Sequence, residues 1–413
     1  MEEKAANGSA AWKTLGQAQA KDSSWLSLAG VYTNATDSRS LTLYVESDGA
    51  GDEIHIDDAR IALIARPALG AGIDEGIPSL KERFAGSFRL GAAVEASELA
   101  GIPSRLLTKH FDVLVAGNAM KPSSIQPLEG LFNWADADKI VAFAESKGMG
   151  LRFHTLQWHE QCPEWFFIDP EGRAMVEEAD PARRAANKAL LLKRLEEHIA
   201  AIGERYQGRI ASWDVVNEVI DAAQPDGMRR SPWYLIAGED YIETAFRAAR
   251  AHCGEGARLY INDYNTHEPS KREALLAFVK RMLAKGVPID GVGHQTHIRI
   301  GYPEIALIGD SIRAFGELGL DNEVTELDMS VYSDDSRAYE VVPERILRLQ
   351  AERYKELFEE YRGLAPYIST VVLWGIADNN TWLDNRPVPR KDAPLLFGVD
   401  YAPKPAFWAL AGE

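Results

Sequence analysis

Two glutamates, each at the end of a short apolar run, have the chemistry of a general acid and a base. Glu218 closes the run Trp213-Asp214-Val215-Val216-Asn217-Glu218, and Glu326 lies within Thr325-Glu326-Leu327-Asp328. Three further runs are rich in imidazoles, amides and indoles. They are His154-Thr155-Leu156-Gln157-Trp158-His159, His294-Gln295-Thr296-His297, and the stretch holding Trp374 and Trp382. A pair of carboxyl groups can divide glycoside hydrolysis between them: one acid protonates the leaving oxygen, and the other carboxylate stabilises or attacks the positively charged sugar carbon. Indoles offer flat apolar faces to pyranose rings, and amides bind hydroxyls. There is no H-E-x-x-H and no Gly-rich phosphate turn, so zinc hydrolysis and phosphoryl transfer have no candidate residues.

These residues need a frame that brings distant runs together. From about Lys81 onward, apolar β-rich runs alternate with helical periods. The expected strands are 88–94, 111–116, 151–156, 212–217, 258–262, 292–296, 323–327 and 370–374. Eight strands at helix-length intervals predict an α/β fold, a (β/α)8 TIM barrel, whose strand C-termini converge on one face. Each run named above ends one of those strands. The helices carry their own signals. Asp180 is placed to cap a helix with Pro181 in its first turn, and Leu191, Leu195, Ile199 and Ile202 form one stripe before Gly208. After Pro343, the residues Ile346, Leu349, Tyr354, Leu357 and Phe358 share a face ahead of Gly363. A doubly wound sheet would carry G-x-G-x-x-G after its first strand, and GAAVEAS offers none.

The first residues differ in character. Alternation over 41–45 and again around His55 reads as a β-hairpin, so the expected organisation is a short β-rich appendage over 1–66, a linker over 67–80 and the catalytic barrel over 81–413. The length of 413 residues suits one large barrel with such an appendage. A net charge of −17 leaves no basic surplus for phosphates, so no nucleic-acid partner is expected. No run approaches a membrane span, no secretory leader is visible, and a monomer is expected. Cys162 and Cys253 read as two buried thiols, and with no metal-binding cysteine cluster neither metal nor cofactor is expected.

The motifs WDVVNE, TELDMS, HTLQWH, HQTH, WGIADNNTW and LFGVDYAPKPAFWAL, in that order-bearing set, resemble family 10 glycoside hydrolases, the xylanase family on this barrel. The resemblance implies an endo-1,4-β-xylanase that retains anomeric configuration, with xylan and xylo-oligosaccharides as substrates. It implies Glu218 as general acid/base, Asn217 as partner of the sugar 2-hydroxyl, and Glu326 as nucleophile oriented by His297. It also places Asn118, Lys121, His154 and Trp158 around the glycone sugars and Gln295 beside the acid/base. Trp374 and Trp382 would wall the cleft, and Tyr264 would lie toward the leaving-group side. The acid must stay protonated near neutral pH, so Glu218 is expected to be raised by the charge of Glu326 and by partial burial. Retention also predicts carboxyl groups roughly 5–5.5 Å apart.

Two features depart from that pattern. The family usually shows Glu-Asn-x-Met-Lys after the second strand, whereas this chain has Gly117-Asn118-Ala119-Met120-Lys121. Loss of the carboxylate predicts looser glycone binding, restorable by Gly117→Glu. In addition, LTLYVES and IHIDDARI resemble the closing strands of a family 22 carbohydrate-binding module. Half a sandwich leaves an open edge, so this remnant is not expected to bind sugar alone. It favours a secreted multidomain parent over a cytoplasmic enzyme.

Overall fold

The computed structural model describes residues 2–5, 10–12, 38–45, 55, 76–385 and 387–412. The chain divides into two units, Met1–Arg66 and Pro67–Glu413. In the first unit, β1 (Glu2–Ala5) is the central strand of an antiparallel sheet, flanked by β2 (Ala10–Trp12) and β3 (Ser38–Thr42). The strand expected over 41–45 is therefore displaced toward the N-terminus. Its ladder to β1 ends at the Glu2–Thr42 pair, and Leu43, Tyr44 and Val45 beyond it are exposed. The second hairpin run lies outside the described residues except for His55, which is in no strand, and so does the expected linker up to residue 75.

The second unit is a closed barrel. Its strands are β4 (Arg89–Val94), β5 (Val113–Ala116), β6 (Gly150–Phe153), β7 (Ser212–Asn217), β8 (Arg258–Asp263) and β9 (Gly291–His294). A short β10 (His297–Arg299), the long β11 (Asp321–Ser330) and β12 (Ile368–Leu373) follow. Every neighbouring pair is parallel. The order runs β11-β12-β4-β5-β6-β7-β8-β9 and closes by pairing β9 with β11. All eight expected strands are present; β7 has the expected bounds, and the ends of the others differ by at most three residues. The second begins late because Phe111 N donates to Leu107 O and finishes the preceding helix instead. The structure adds β10, which pairs with the far end of β11 and brings His297 beside Asp328.

Register shifts interrupt β7 between Asp214 and Val216 and β11 between Val324 and Leu327. Such irregularities re-aim side chains near the strand ends. Here one falls just before Glu218 and the other spans Glu326. The barrel interior is polar: Arg152 Nε donates to Glu323 Oε2 at 2.6 Å, Arg152 also pairs with Asp214, and Ser212 Oγ donates to Glu323 Oε1 at 2.8 Å. Close packing around this network explains Gly293. A Cβ there would lie 2.4 Å from Asn262 Oδ1 and 3.0 Å from Arg152 Nη2.

The helices form the outer ring. Asp180 accepts from Arg183 N at 2.9 Å and Pro181 opens the helix Pro181–Tyr206, a preorganised start that leaves no N–H unsatisfied at the proline. Its stripe Leu191, Leu195, Ile199 and Ile202 is fully buried. The chain then turns at Gly208, whose φ of +72° suits a residue without Cβ. In the helix Glu344–Gly363, Leu349 is 45% exposed, correcting its place on the shared face. Gln350 occupies the buried position because its amide donates to the carbonyls of Met329 and Ala393. Both cysteines are free thiols; Cys253 is buried and Cys162 is half-buried.

Candidate active site

The two glutamates face each other across a chain of amides. Thr325 Oγ1 donates to Asn262 Oδ1 at 2.7 Å, which fixes the orientation of that amide. Asn262 Nδ2 then donates to Glu326 Oε1 at 2.8 Å and to Asn217 Oδ1 at 2.9 Å. Gln295 Nε2 lies 3.3 Å from the same Asn217 oxygen and 3.0 Å from Glu218 Oε1. These six side chains, from β8, β11 and the ends of β7 and β9, thus form one connected array that links the two carboxyl groups.

The electrostatics separate the two ends. Burial alone would raise the Glu326 carboxyl, but the His154 imidazole, 3.8 Å from Oε1, and His297, 3.2 Å from Oε2, outweigh it and hold it well below the usual range. The coupled His297 is correspondingly pushed up: burial opposes its charge, yet Asp328 at 2.9 Å and Glu326 favour it. Glu218 moves the other way. Its carboxyl is raised, first by burial and next by the charge of Asp263, while hydrogen bonds from Gln295 and Trp158 pull it back. Glu326 contributes least among these, which corrects the expectation that its charge is a leading cause.

The backbone at the site is strained. Glu218 has φ +58° and Thr296 has φ +61°, left-handed conformations that cost non-glycine residues roughly 1–3 kcal/mol. At Glu218 the conformation is held from both sides, by Glu218 N donating to Asn262 O at 2.8 Å and by Arg229 Nε donating to the Glu218 carbonyl at 2.6 Å. Arg229 also donates to the Tyr264 hydroxyl at 2.8 Å, and Lys271 lies over the Tyr264 ring at 4.3 Å. Tyr264 therefore sits on the Glu218 side of the site.

On the other side, Lys121 is buried with its Nζ 3.2 Å from Asn118 Oδ1 and 5.1 Å from the Trp158 ring centre. Burial lowers the Lys121 ammonium, against the pull of Glu326, Glu95 and Glu218. Asn118 itself is exposed and donates to Glu95 Oε1 at 2.7 Å. His154 packs edge-on to Trp374, with ring centres 5.4 Å apart, and His297 packs against Trp382 at 5.0 Å. Trp382 is 39% exposed. Contacts of this kind join all twelve residues singled out in the sequence.

Four contributors were not singled out. Asp214 accepts from His154 Nδ1 at 2.9 Å and Asp328 accepts from Trp382 Nε1 at 2.7 Å while facing His297. A period of two already puts Asp328 on the same face as Glu326, so that signal was present. Asn262 precedes Tyr264 in a run whose inward phase was unread. Glu95, at the end of β4, fills the space beside Gly117. A Cβ on Gly117 would lie 2.5 Å from Glu95 Oε1. The expectation that Gly117→Glu simply restores a missing contact is therefore corrected: a carboxylate already stands there.

A family model for glycosyl hydrolase family 10 matches residues 79–413. A thermostable celloxylanase of Thermoclostridium stercorarium is 55% identical over 338 residues, covering 81% of this chain and 87% of the relative. An endo-1,4-beta-xylanase A of Halalkalibacterium halodurans is 53% identical over 343 residues, covering 81% and 86%. The crystal structure of xylanase B from Clostridium stercorarium F9 superposes with a TM-score of 0.81 at 55% identity, over 82% of this chain and all of that one (100%). With a closed eight-stranded barrel and this site at its strand ends, the chain belongs to glycosyl hydrolase family 10.

Proposed function

We propose that this protein is an endo-1,4-β-xylanase acting by double displacement with retention, with Glu326 as nucleophile and Glu218 as acid/base. The observation that carries the assignment is the opposite displacement of two carboxyl groups joined by one array of amides: His154 and His297 lower Glu326 against its burial, and burial raises Glu218. In the first step a Glu326 oxygen attacks the anomeric carbon as Glu218 gives its proton to the leaving glycosidic oxygen. The leaving sugar departs with that proton. Glu218, now a carboxylate, takes a proton from water, whose oxygen attacks the same carbon and releases Glu326. Each inversion undoes the other, so configuration is retained.

The remaining residues fit binding. Asn217 is held by Asn262 and Gln295 beside both carboxyl groups, where the sugar 2-hydroxyl would lie. Asn118, Lys121, His154 and Trp158 serve the glycone, Trp374 and Trp382 wall the cleft, and Tyr264 serves the leaving group. Cleavage of β-1,4-glucan is a second reading, favoured by the celloxylanase description of the relative above. Residues 1–66 we read as the remnant of a carbohydrate-binding module from a secreted parent, supported by the resemblance of LTLYVES and IHIDDARI.

Hydrolysis of beechwood xylan against barley β-glucan, with Glu326→Ala as control, tests the reading. Rapid release of mixed xylo-oligosaccharides, abolished in the variant, is the expected result. Preferential cleavage of glucan would move the substrate to the second reading, and xylan turnover surviving in Glu326→Ala would overturn the nucleophile.

A further inference from the structure

The turn that carries Glu218 is tethered at successive backbone groups. Glu218 N donates to Asn262 O at 2.8 Å. Arg229 holds the turn twice, through Nε to Glu218 O at 2.6 Å and through its own backbone N to Val219 O at 2.9 Å. Ile220, two residues beyond Glu218, is held by a pair of opposite charges. Its N donates to Asp263 Oδ2 at 3.1 Å, and its carbonyl accepts from Lys271 Nζ at 2.6 Å. The same Nζ lies 2.7 Å from Asp263 Oδ1, which also accepts from Tyr264 N at 2.9 Å. Asp263 is the last residue of β8, and Lys271 enters from the helix Pro269–Ala284. Both are buried, Asp263 at 0% exposure and Lys271 at 6%.

A buried ion pair is a poor way to add stability. The attraction of the two charges does little more than offset their desolvation, and apolar residues of the same volume serve a core as well or better. Such a pair can instead fix one backbone geometry. Here both members bind the same residue of a turn that the φ of +58° at Glu218 already strains. The pair also reaches the leaving-group side of the site. Asp263 accepts from the Tyr264 N–H and Lys271 lies over the Tyr264 ring at 4.3 Å, while Arg229 donates to the Tyr264 hydroxyl at 2.8 Å. We propose that Asp263 and Lys271 are positioning residues for general acid catalysis: they lock the Glu218 turn to Tyr264 and so fix the Glu218 carboxyl relative to the leaving oxygen. They act through those two residues. The proposal deepens the retaining-glycosidase reading and rests on it, because Glu218 must be the acid.

A misplaced acid matters only where the leaving oxygen needs a proton. The test is therefore a ratio: kcat/KM on phenyl β-xylobioside, whose oxygen leaves poorly unprotonated, over that on 2,4-dinitrophenyl β-xylobioside, whose anion leaves without help. The two share one glycone, so a poorly folded fraction or a weakened cleft lowers both alike and cancels. Asp263→Asn, which keeps the shape of the side chain, is expected to lower the ratio by roughly tenfold. Lys271→Met is expected to lower it in the same sense. The double variant Asp263→Asn with Lys271→Met leaves no unpaired buried charge, so it covers the case in which either single variant fails to fold; its ratio is expected to stay low. Asp378→Asn opens a different buried pair, with Lys404 at 2.8 Å, and is expected to lower Tm while keeping the parent ratio. The parent ratio in Asp263→Asn or in the double variant, or an equal fall in Asp378→Asn, overturns the proposal. Glu218→Ala sets the floor of the scale. If it too keeps the parent ratio, the acid/base assignment fails, and with it the reading on which the proposal rests.

Discussion

His297 lies between two carboxylates, with Nδ1 2.9 Å from Asp328 Oδ2 and Nε2 3.2 Å from Glu326 Oε2. Asp328 thereby acts on Glu326 through the ring: it favours the charged imidazole, and the charged imidazole favours the ionised nucleophile. Asp328→Asn should lower kcat/KM by roughly tenfold or more, since a contact to a charged group contributes about 1.5–3 kcal/mol. The sign of the pH effect follows. With His297 less easily protonated, Glu326 gains a proton at higher pH, so the acid limb of the activity profile moves upward. A kcat/KM profile with an unmoved acid limb would contradict this coupling.

Gln295 is expected to control the alkaline limb. Activity needs Glu218 protonated, and its raised pKa places the loss of activity above the ordinary carboxylate range as pH rises. The Gln295 hydrogen bond favours the ionised form. Gln295→Ala should therefore shift the alkaline limb to still higher pH while reducing kcat, and a shift to lower pH would count against the assignment.

Stability should follow the same two groups in opposite directions. The folded state raises Glu218, so its ionisation works against folding once the pH exceeds its unfolded pKa. Glu218→Gln is expected to raise Tm at pH 7 and to have little effect near pH 4. Glu326 is depressed when folded, so its contribution is full above the unfolded value of a glutamate and fades as the pH falls toward about 2. Thermal melts of Glu326→Gln should show their largest loss near neutrality and a shrinking one in acid.

Arg152 is fully buried and paired with both Asp214 and Glu323. Removing one partner of such a cluster leaves uncompensated buried charge, so Arg152→Met is expected to cost roughly 3–5 kcal/mol in chemical denaturation. Because Asp214 also positions His154, the activity of any folded fraction should fall as well. Denaturation midpoints within experimental error of the parent would show that the network does not hold the barrel.

The barrel was legible because its eight strands are short apolar runs bounded by helices of clear period, and local pattern carries that information. The two glutamates of the amide array were legible because each ends such a run among amides and imidazoles. What escaped depended on contacts between strands. Glu95 and Gly117 are 22 positions apart and share one volume only because β4 and β5 pair in register. Asp214 and Asp328 escaped because their partners, His154 for the first and Trp382 and His297 for the second, come from other elements of the barrel. Leu349 was misplaced because the buried slot beside it rewards an amide that meets two orphan carbonyls, which apolar periodicity does not see.

The most direct measurement is to trap the covalent intermediate with a 2-deoxy-2-fluoro-β-xylobioside and map the labelled peptide by mass spectrometry. The fluorine slows both steps, and a good leaving group restores the first, so the glycosyl-enzyme accumulates. One equivalent of sugar ester-linked to Glu326, absent in Glu326→Ala, is the expected result. A label on Glu218, or full turnover of the parent on xylan with no adduct at any carboxylate, would contradict the account.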